Sequence, residues 1–112
     1  MSELRYVILR HDDIPDPHFD LMFERSPTGP LATWRSFDWP LQDGTPLQRL
    51  PDHRRKYLTY EGLVSNNRGS VRRVAQGTFE LLCEAKRAWH VRLDQSQEWL
   101  LEDDLAHQIQ SK

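Results

Sequence analysis

Two histidines and an aspartate lie close together between residues 11 and 20, the most polar stretch of the chain. His18 and Asp20 are two residues apart at the start of a predicted strand, so their side chains point to the same face of a sheet. His11 ends the preceding predicted strand, and the turn Pro15-Asp16-Pro17 can return the chain so that His11 lies beside His18. The spacing therefore predicts that two imidazoles and one carboxylate converge.

Two imidazoles and a carboxylate suit a divalent first-row metal ion that keeps open coordination positions. Imidazole nitrogen is a good ligand for Mn, Fe, Zn or Ni, and the carboxylate adds a hard oxygen and a compensating negative charge. The open positions accept phosphate oxygens and water, and the metal acts as a Lewis acid that activates the water. The same residues could instead form a solvated turn with capping side chains, and spacing alone leaves both interpretations open.

A second polar cluster surrounds His53, which follows Asp52 and precedes the three cations Arg54, Arg55 and Lys56. A bound phosphate would neutralise this run of positive charge. His53 could then donate a proton to a leaving oxygen or hydrogen-bond to the phosphate. The alternative is a surface histidine in a basic loop.

The net charge of −2 conceals a basic middle segment. Residues 49–73 contain seven basic and two acidic side chains, a local charge of +5. A basic segment in an acidic protein favours a polyanion that binds locally, so we predict DNA or RNA as the partner. A solvated charged face explains the same composition equally well.

Short β-branched and aromatic runs separated by turn signals predict an all-β fold over a single domain, residues 1–112. We expect a small antiparallel β-barrel or sandwich of about seven to eight strands. Predicted strands include residues 70–75 and 78–83, and residues 40–51 are predicted as an irregular loop. Leu105 and Ile109, four residues apart, are typical of a short C-terminal helix over residues 103–110.

The single cysteine, Cys83, excludes an intrachain disulfide, and we expect it to be a small core residue. The N-terminal residues have no apolar region typical of a signal peptide, and no apolar run approaches the length of a membrane span. We therefore expect a cytoplasmic protein with no membrane contact.

Several motifs occur in a fixed order along residues 6–101. His11-Asp12 is followed by His18-Phe19-Asp20, Thr33-Trp34, Asp52-His53 with Tyr57 four residues after the histidine, and Tyr60-Glu61-Gly62. A glycine-bearing turn, Arg68-Gly69-Ser70-Val71, and a late strand, Val91-Arg92-Leu93, complete the series. In this order the motifs resemble the 3′-phosphoesterase domain of bacterial DNA ligase D.

The resemblance implies a small β-barrel core, manganese-dependent chemistry, and removal of 3′-terminal ribonucleotides and 3′-phosphates from nucleic-acid ends during DNA end repair. It implies that His11, His18 and Asp20 bind the metal and that His53 contacts the phosphate. Any end-joining ligase or polymerase would have to act in trans, because the chain has no room for such domains.

The sequence departs from the family pattern at Met22, where the family usually has an arginine that can neutralise phosphate. A thioether cannot replace a guanidinium group, and Arg35 or Arg68 are candidates to supply the missing charge. The predicted catalytic residues are His53, His11 and Asp20, the predicted metal ligands are His11, His18 and Asp20, and the predicted phosphate-binding residues are His53, Arg35, Arg54, Arg55 and Arg68.

Two other functions remain open at this point. One is a nucleic-acid-end binding module that has lost efficient chemistry together with the arginine now replaced by Met22. The other is a metal-dependent hydrolase of a small phosphoester.

Overall fold

The computed structural model describes residues 3–109, which form nine strands and one short 3-10 helix. The strands are β1 (Leu4–Asp12), β2 (His18–Glu24), β3 (Leu31–Ser36), β4 (Gln48–His53), β5 (Gly62–Leu63), β6 (Ser70–Ala85), β7 (Ala88–Leu93), β8 (Gln97–Glu102) and β9 (Ala106–Ile109). The 3-10 helix, Arg55–Leu58, connects β4 to β5. The predicted all-β antiparallel fold is confirmed. None of the described residues form a helix that is long and apolar enough to cross a membrane.

All nine strands belong to one antiparallel sheet with the order β4-β3-β2-β1-β6-β7-β8-β9, and β5 pairs with the start of β6. The two end strands, β4 and β9, do not pair with each other in the described part of the chain, so the sheet is open. The sheet nevertheless curls until the segments beside its two ends meet. The backbone N–H of Leu47 donates to the carbonyl of Asp104 at 2.9 Å, and that of Ala106 donates to Thr45 at 2.9 Å.

Hydrophobic side chains cover both faces of the central strands. On one face, Leu21 and Phe23 of β2 pack with Trp34 and Trp89 in the larger core cluster. On the other face, Met22 belongs to a smaller cluster that also contains residues of β1, β3, β6 and the 3-10 helix. Because β2 is covered on both faces, even its polar side chains at positions 18, 20 and 24 are buried. Burial of these polar groups is the feature that the candidate site depends on.

The predicted C-terminal helix is wrong. Residues Ala106–Ile109 form β9, which pairs antiparallel with β8, while Gln110 lies outside the described residues. A spacing of four residues also places Leu105 and Ile109 on one face of a strand, because four is a multiple of the strand period of two. The sequence pattern therefore could not separate the two structures.

Residues 40–51, predicted as a loop, are partly strand, because β4 begins at Gln48 and includes Pro51. Proline is tolerated there because β4 is an edge strand and one of its sides needs no backbone donors. The two strands predicted over 70–75 and 78–83 are one strand, β6. Gly77 interrupts the sequence pattern because a Cβ atom there would lie 2.0 Å from Asp94 Oδ1, not because the chain turns.

Cys83 is exposed, so its prediction as a core residue is wrong. It lies in the half of β6 that pairs with β7, directly after a register irregularity between Leu81 and Cys83. Side chains from Leu82 to Ala85 are all exposed there.

Candidate metal centre

The pairing of β1 with β2 brings the predicted metal ligands together. His11 and His18 are directly opposite each other in the antiparallel register, and the chain reverses between them through the Pro15-Asp16-Pro17 segment. Asp20 follows two residues after His18 on the same face of β2. One ligand atom from each of His11, His18 and Asp20 lies within 4.8 Å of the other two, so this group could hold a metal ion.

One ring N–H of each imidazole donates to a backbone carbonyl, which orients the ring. His18 Nδ1 lies 2.8 Å from the carbonyl oxygen of Asp16, and His11 Nε2 lies 2.6 Å from that of Arg68. A carbonyl only accepts, so the hydrogen must be on His18 Nδ1 and on His11 Nε2. In the neutral form of each ring, the remaining nitrogens, His18 Nε2 and His11 Nδ1, carry the lone pairs that bind metals. A hydrogen bond on the far nitrogen is the usual support of a metal-bound histidine.

The nitrogen and oxygen atoms that face each other in this group make no hydrogen bonds with the described residues. His18 Nε2 and Asp20 Oδ1 are buried without a hydrogen-bond partner, although only 3.3 Å separates them. His11 Nδ1 lies 3.7 Å from Asp20 Oδ2, beyond hydrogen-bond distance. Buried polar atoms are almost always satisfied in proteins, so unsatisfied ones that face each other require an explanation. A cation between the three side chains satisfies these atoms, and the donor set of two nitrogens and a carboxylate fits a divalent first-row ion.

A cavity of about 380 Å³ opens beside this group. It is lined by His11, Asp20, Met22, Arg35, Asp52, His53, Arg54, Tyr57, Val64, Arg68 and Val71. Its charged lining consists of three arginines and two aspartates, a formal charge of +1 when the histidines are neutral. A bound divalent cation would raise that charge further, so the cavity suits an anion.

Arg35 lies directly beside the candidate ligands in the sheet, as the cross-strand partner of Asp20. Its Nε atom is buried and has no hydrogen-bond partner within residues 3–109. No carboxylate of the described chain lies within 4.0 Å of its guanidinium group. The residue as a whole is only half-buried, but a buried Nε without an acceptor is costly, and an anion in the cavity would offset that cost.

The other predicted phosphate-binding arginines divide into two groups. Arg54 and Arg68 line the cavity. Arg55 does not, because its guanidinium group pairs with the buried carboxylate of Glu24 and also reaches the carbonyl of Ser26 at 3.4 Å. Arg55 therefore stabilises the contact between the 3-10 helix and β2 in this structure.

The rest of the basic middle segment is largely neutralised. Arg73 pairs with Glu61 at 3.3 Å, and Arg49 lies 3.9 Å from Asp52. Arg72 is 66% exposed and only 4.0 Å from Asp12. Of the seven basic side chains in this segment, only Arg54 and Arg68 line the cavity after folding.

His53 lies at the end of β4 and lines the cavity with Tyr57, whose ring is 6.4 Å from the imidazole. His53 Nδ1 is 3.0 Å from the carbonyl of Pro51, which fixes the hydrogen on Nδ1. Nε2 is then the atom that accepts a hydrogen bond, or donates one when the ring is protonated. Met22 lines the same cavity with a side chain that is 1% exposed.

Sequence reasoning did not single out four lining residues as part of the site: Asp52, Tyr57, Val64 and Val71. Asp52 and Tyr57 occur in the Asp-His motif and four residues after it, so their proximity to His53 was a usable signal. Val64 carries no chemical signal, because a valine near a glycine looks like any strand residue. Val64 is positioned by the pairing of β5 with β6, and a strand of only two residues cannot be recognised from the sequence.

No known protein-family model matches this sequence, and no curated protein is similar to it. The assignment of a function therefore depends on the geometry of the cavity and on the order of the sequence motifs.

Proposed function

We propose that this protein is a metal-dependent 3′-phosphoesterase that removes a 3′-terminal ribonucleotide or 3′-phosphate from nucleic-acid ends, as a divergent relative of the DNA ligase D domain. The observation that carries the proposal is a set of three buried polar atoms without partners at one cavity: His18 Nε2, Asp20 Oδ1 and Arg35 Nε. The first two require a cation and the third requires an anion. A metal ion together with a phosphate group satisfies all three.

His11, His18 and Asp20 would hold the metal, which by the family resemblance we propose to be Mn²⁺. When bound, a divalent ion polarises a phosphoryl oxygen as a Lewis acid and lowers the pKa of a bound water molecule toward neutrality. Asp20 offsets part of the cationic charge, and the two backbone-bonded imidazoles keep the donor atoms in place.

The arginines of the cavity would bind the phosphate and stabilise the charge that develops on its oxygens. Arg35 lies on β3 as the cross-strand partner of Asp20, Arg54 precedes the 3-10 helix, and Arg68 precedes β6. Fixed donors of this kind act most strongly in a site that excludes water. His53 Nε2 would donate a proton to the leaving oxygen or a hydrogen bond to the phosphate. Repair of DNA ends is consistent with a cytoplasmic location for the protein.

One observation favours a second candidate function, a binding module without efficient chemistry. Met22 lines the cavity at the position where the family resemblance expects an arginine. A buried thioether supplies neither charge nor hydrogen-bond donors to a phosphate. If Arg35 does not replace that cation, the protein would dock on nucleic-acid ends without cleaving them.

The direct experiment follows primer length after the protein is mixed with Mn²⁺ and a DNA primer ending in one ribonucleotide or in a 3′-phosphate. The proposal expects trimming that requires the metal and is abolished by His11→Ala and by Asp20→Ala. His53→Ala should slow trimming by about 10²–10⁴-fold if the imidazole acts as an acid or stabilises charge. His90→Ala is the matched control, because His90 is bonded to Glu98 at 3.0 Å outside the cavity.

Met22→Arg and Arg35→Met separate the two candidate functions. An active wild type that Arg35→Met inactivates would assign the phosphate-binding role to Arg35. An inert wild type that Met22→Arg activates would identify the chain as a binding module derived from an enzyme. Binding of 3′ ends without trimming by either protein, with any first-row metal, would overturn the enzyme proposal.

A further inference from the structure

Phe37 is a large hydrophobic side chain that lies exposed beside the candidate metal centre. The residue is 62% exposed, yet its ring packs edge-to-face against the buried imidazole of His18, with 6.4 Å between the ring centroids. Single exposed hydrophobic residues are common on protein surfaces and by themselves mean little. This one is distinguished by its contact with His18, one of the candidate metal ligands.

The backbone around Phe37 is fixed rather than loose. Ser36 Oγ donates to the carbonyl of Asp38 at 2.7 Å, and the N–H of Asp38 donates back to Ser36 Oγ at 3.0 Å. These two bonds close a tight turn around Phe37 at the end of β3. The exposed ring is therefore presented in a defined position, so little conformational freedom is lost when a ligand stacks on it.

Phe37 is also only two residues beyond Arg35, whose buried Nε has no partner in the described residues. One strand end thus presents a candidate phosphate-binding group and an exposed aromatic face beside each other. Two residues along a strand span about 7 Å, which a single nucleotide can bridge from its phosphate to its base. Unpaired bases commonly stack on aromatic side chains in sites that bind single-stranded nucleic acid.

We infer that Phe37 is a stacking platform for the nucleobase of the terminal nucleotide, so that the protein selects unpaired 3′ ends that carry a base. The inference rests on the proposed function, because it assumes that the cavity holds the terminal phosphate. It adds a second recognition element, which reads the presence of an accessible base rather than its sequence, since every base has a π-face.

The test compares two single-stranded oligonucleotides with a 3′-phosphate, identical except that one has an abasic terminal nucleotide. Affinity is measured by fluorescence anisotropy in metal-free buffer, where metal-dependent turnover does not interfere. Wild type should bind the base-bearing end about fivefold to 100-fold more tightly than the abasic end. Phe37→Ala should lose this preference by weakening only the base-bearing complex. Phe37→Trp should retain it, and Leu82→Ala, an exposed apolar residue on the distant half of β6, should change neither affinity.

The contrary results are distinct. Equal wild-type affinity for both ends would overturn the stacking inference, and so would a loss of affinity for both ends in Phe37→Ala and Phe37→Trp alike, since that indicates a structural role. In both cases the proposed phosphate site would stand. A preference that depends on Phe37, in a protein that trims nothing, would support the inference while the enzyme proposal fails. No binding of either end would overturn both.

Discussion

Asp20 shows how a single residue can be unfavourable for folding and necessary for a site. Its side chain is 5% exposed, and Oδ1 receives no hydrogen bond within the described chain. A buried acceptor without a donor costs about 1–3 kcal/mol of folding free energy. When the His18 ring is neutral, the lone pair of its Nε2 adds repulsion, because both atoms are then acceptors.

We expect Asp20→Asn to stabilise the metal-free protein by about 1 kcal/mol, because the amide can donate to His18 Nε2 where the carboxylate cannot. The same variant should lose the stabilisation that Mn²⁺ gives the wild type, which grows with the logarithm of ion concentration once the ion is in excess. Denaturant unfolding with and without Mn²⁺ measures both effects. Asp104→Asn, an exposed position with the same change in charge, is the control. Wild-type stabilisation by Mn²⁺ in Asp20→Asn would contradict the ligand assignment.

At the residue scale, the sequence predicted the ligand group because strand periodicity is strict. His18 and Asp20 had to share a face, and a proline-rich turn had to return His11 to them. It did not predict that Arg55 would pair with Glu24, because that contact joins positions that are 31 residues apart. A basic run alone does not reveal which of its cations is neutralised by a buried acid elsewhere.

At the scale of elements, the turn before β6 positions His11. Gly69 has a φ of +82°, and a Cβ atom there would lie 2.2 Å from the carbonyl oxygen of Asp12. The preceding residue, Arg68, provides the carbonyl that accepts from His11 Nε2. The close approach of this turn to the end of β1 therefore holds one of the candidate metal ligands in place.

We expect Gly69→Ala to lower the free energy of unfolding by more than about 2 kcal/mol. The added methyl group strains the backbone at a positive φ and also clashes with the carbonyl oxygen of Asp12. Gly44→Ala is the matched control. Gly44 has a φ of +88°, but a Cβ atom there would meet nothing within 4 Å. It should therefore cost only the strain of about 1–2 kcal/mol. Gly69→Ala should also weaken Mn²⁺ binding, which Gly44→Ala should leave intact. Equal costs in the two variants would show that the turn does not approach β1 this closely.

Glu24 connects β2 to two other elements, since its buried carboxylate accepts bonds from Arg5 of β1 and Arg55 of the 3-10 helix. Burial by itself raises the pKa of Glu24, but these hydrogen bonds outweigh it and hold the pKa below its ordinary value of 4.5. A lowered pKa in the folded state contributes stability above the unfolded-state value. That contribution is lost as the pH falls through the folded-state value.

Unfolding free energy measured as a function of pH should therefore fall less steeply below about 4.5 in Glu24→Gln than in the wild type. At neutral pH the variant should be less stable by about 1–3 kcal/mol, because the carboxylate no longer pairs with the arginines. Glu3→Gln makes the same change in charge at an exposed position. An identical acid dependence in Glu24→Gln and the wild type would contradict the pKa assignment.

Most elements were predictable because alternating apolar residues and turn signals are local properties. The failures have a common cause, which is that the deciding interaction is distant in sequence. β6 continues through Gly77 because the Asp94 carboxylate approaches it, and β9 is a strand because β8 offers it an edge. Neither partner can be identified from the segment itself.

At the scale of the whole molecule, folding leaves few cations of the basic segment at the cavity. Arg54 and Arg68 of the segment line it together with Arg35 of β3, while Arg49, Arg55 and Arg73 pair with acidic groups. A short single-stranded 3′ end should therefore contact about three cationic groups. The logarithm of its binding constant should fall with the logarithm of salt concentration with a slope of about −2.

Anisotropy titrations over a range of salt concentrations measure this slope, and Arg54→Gln should reduce its magnitude by about 0.7. Arg73→Gln, which removes a cation paired with Glu61, is the control and should leave the slope unchanged. A slope near zero in the wild type would contradict the proposal that the cavity binds nucleic acid.

The central claim is that His11, His18 and Asp20 form a metal centre that faces a phosphate site. The most direct measurement is the anomalous diffraction of crystals grown with Mn²⁺ and inorganic phosphate. We predict an anomalous peak for one Mn²⁺ ion, bound by His11 Nδ1, His18 Nε2 and the Asp20 carboxylate at about 2.0–2.3 Å. Phosphate should lie beside the ion in contact with Arg35. Mn²⁺ bound only elsewhere, or an empty centre at saturating Mn²⁺, would contradict it.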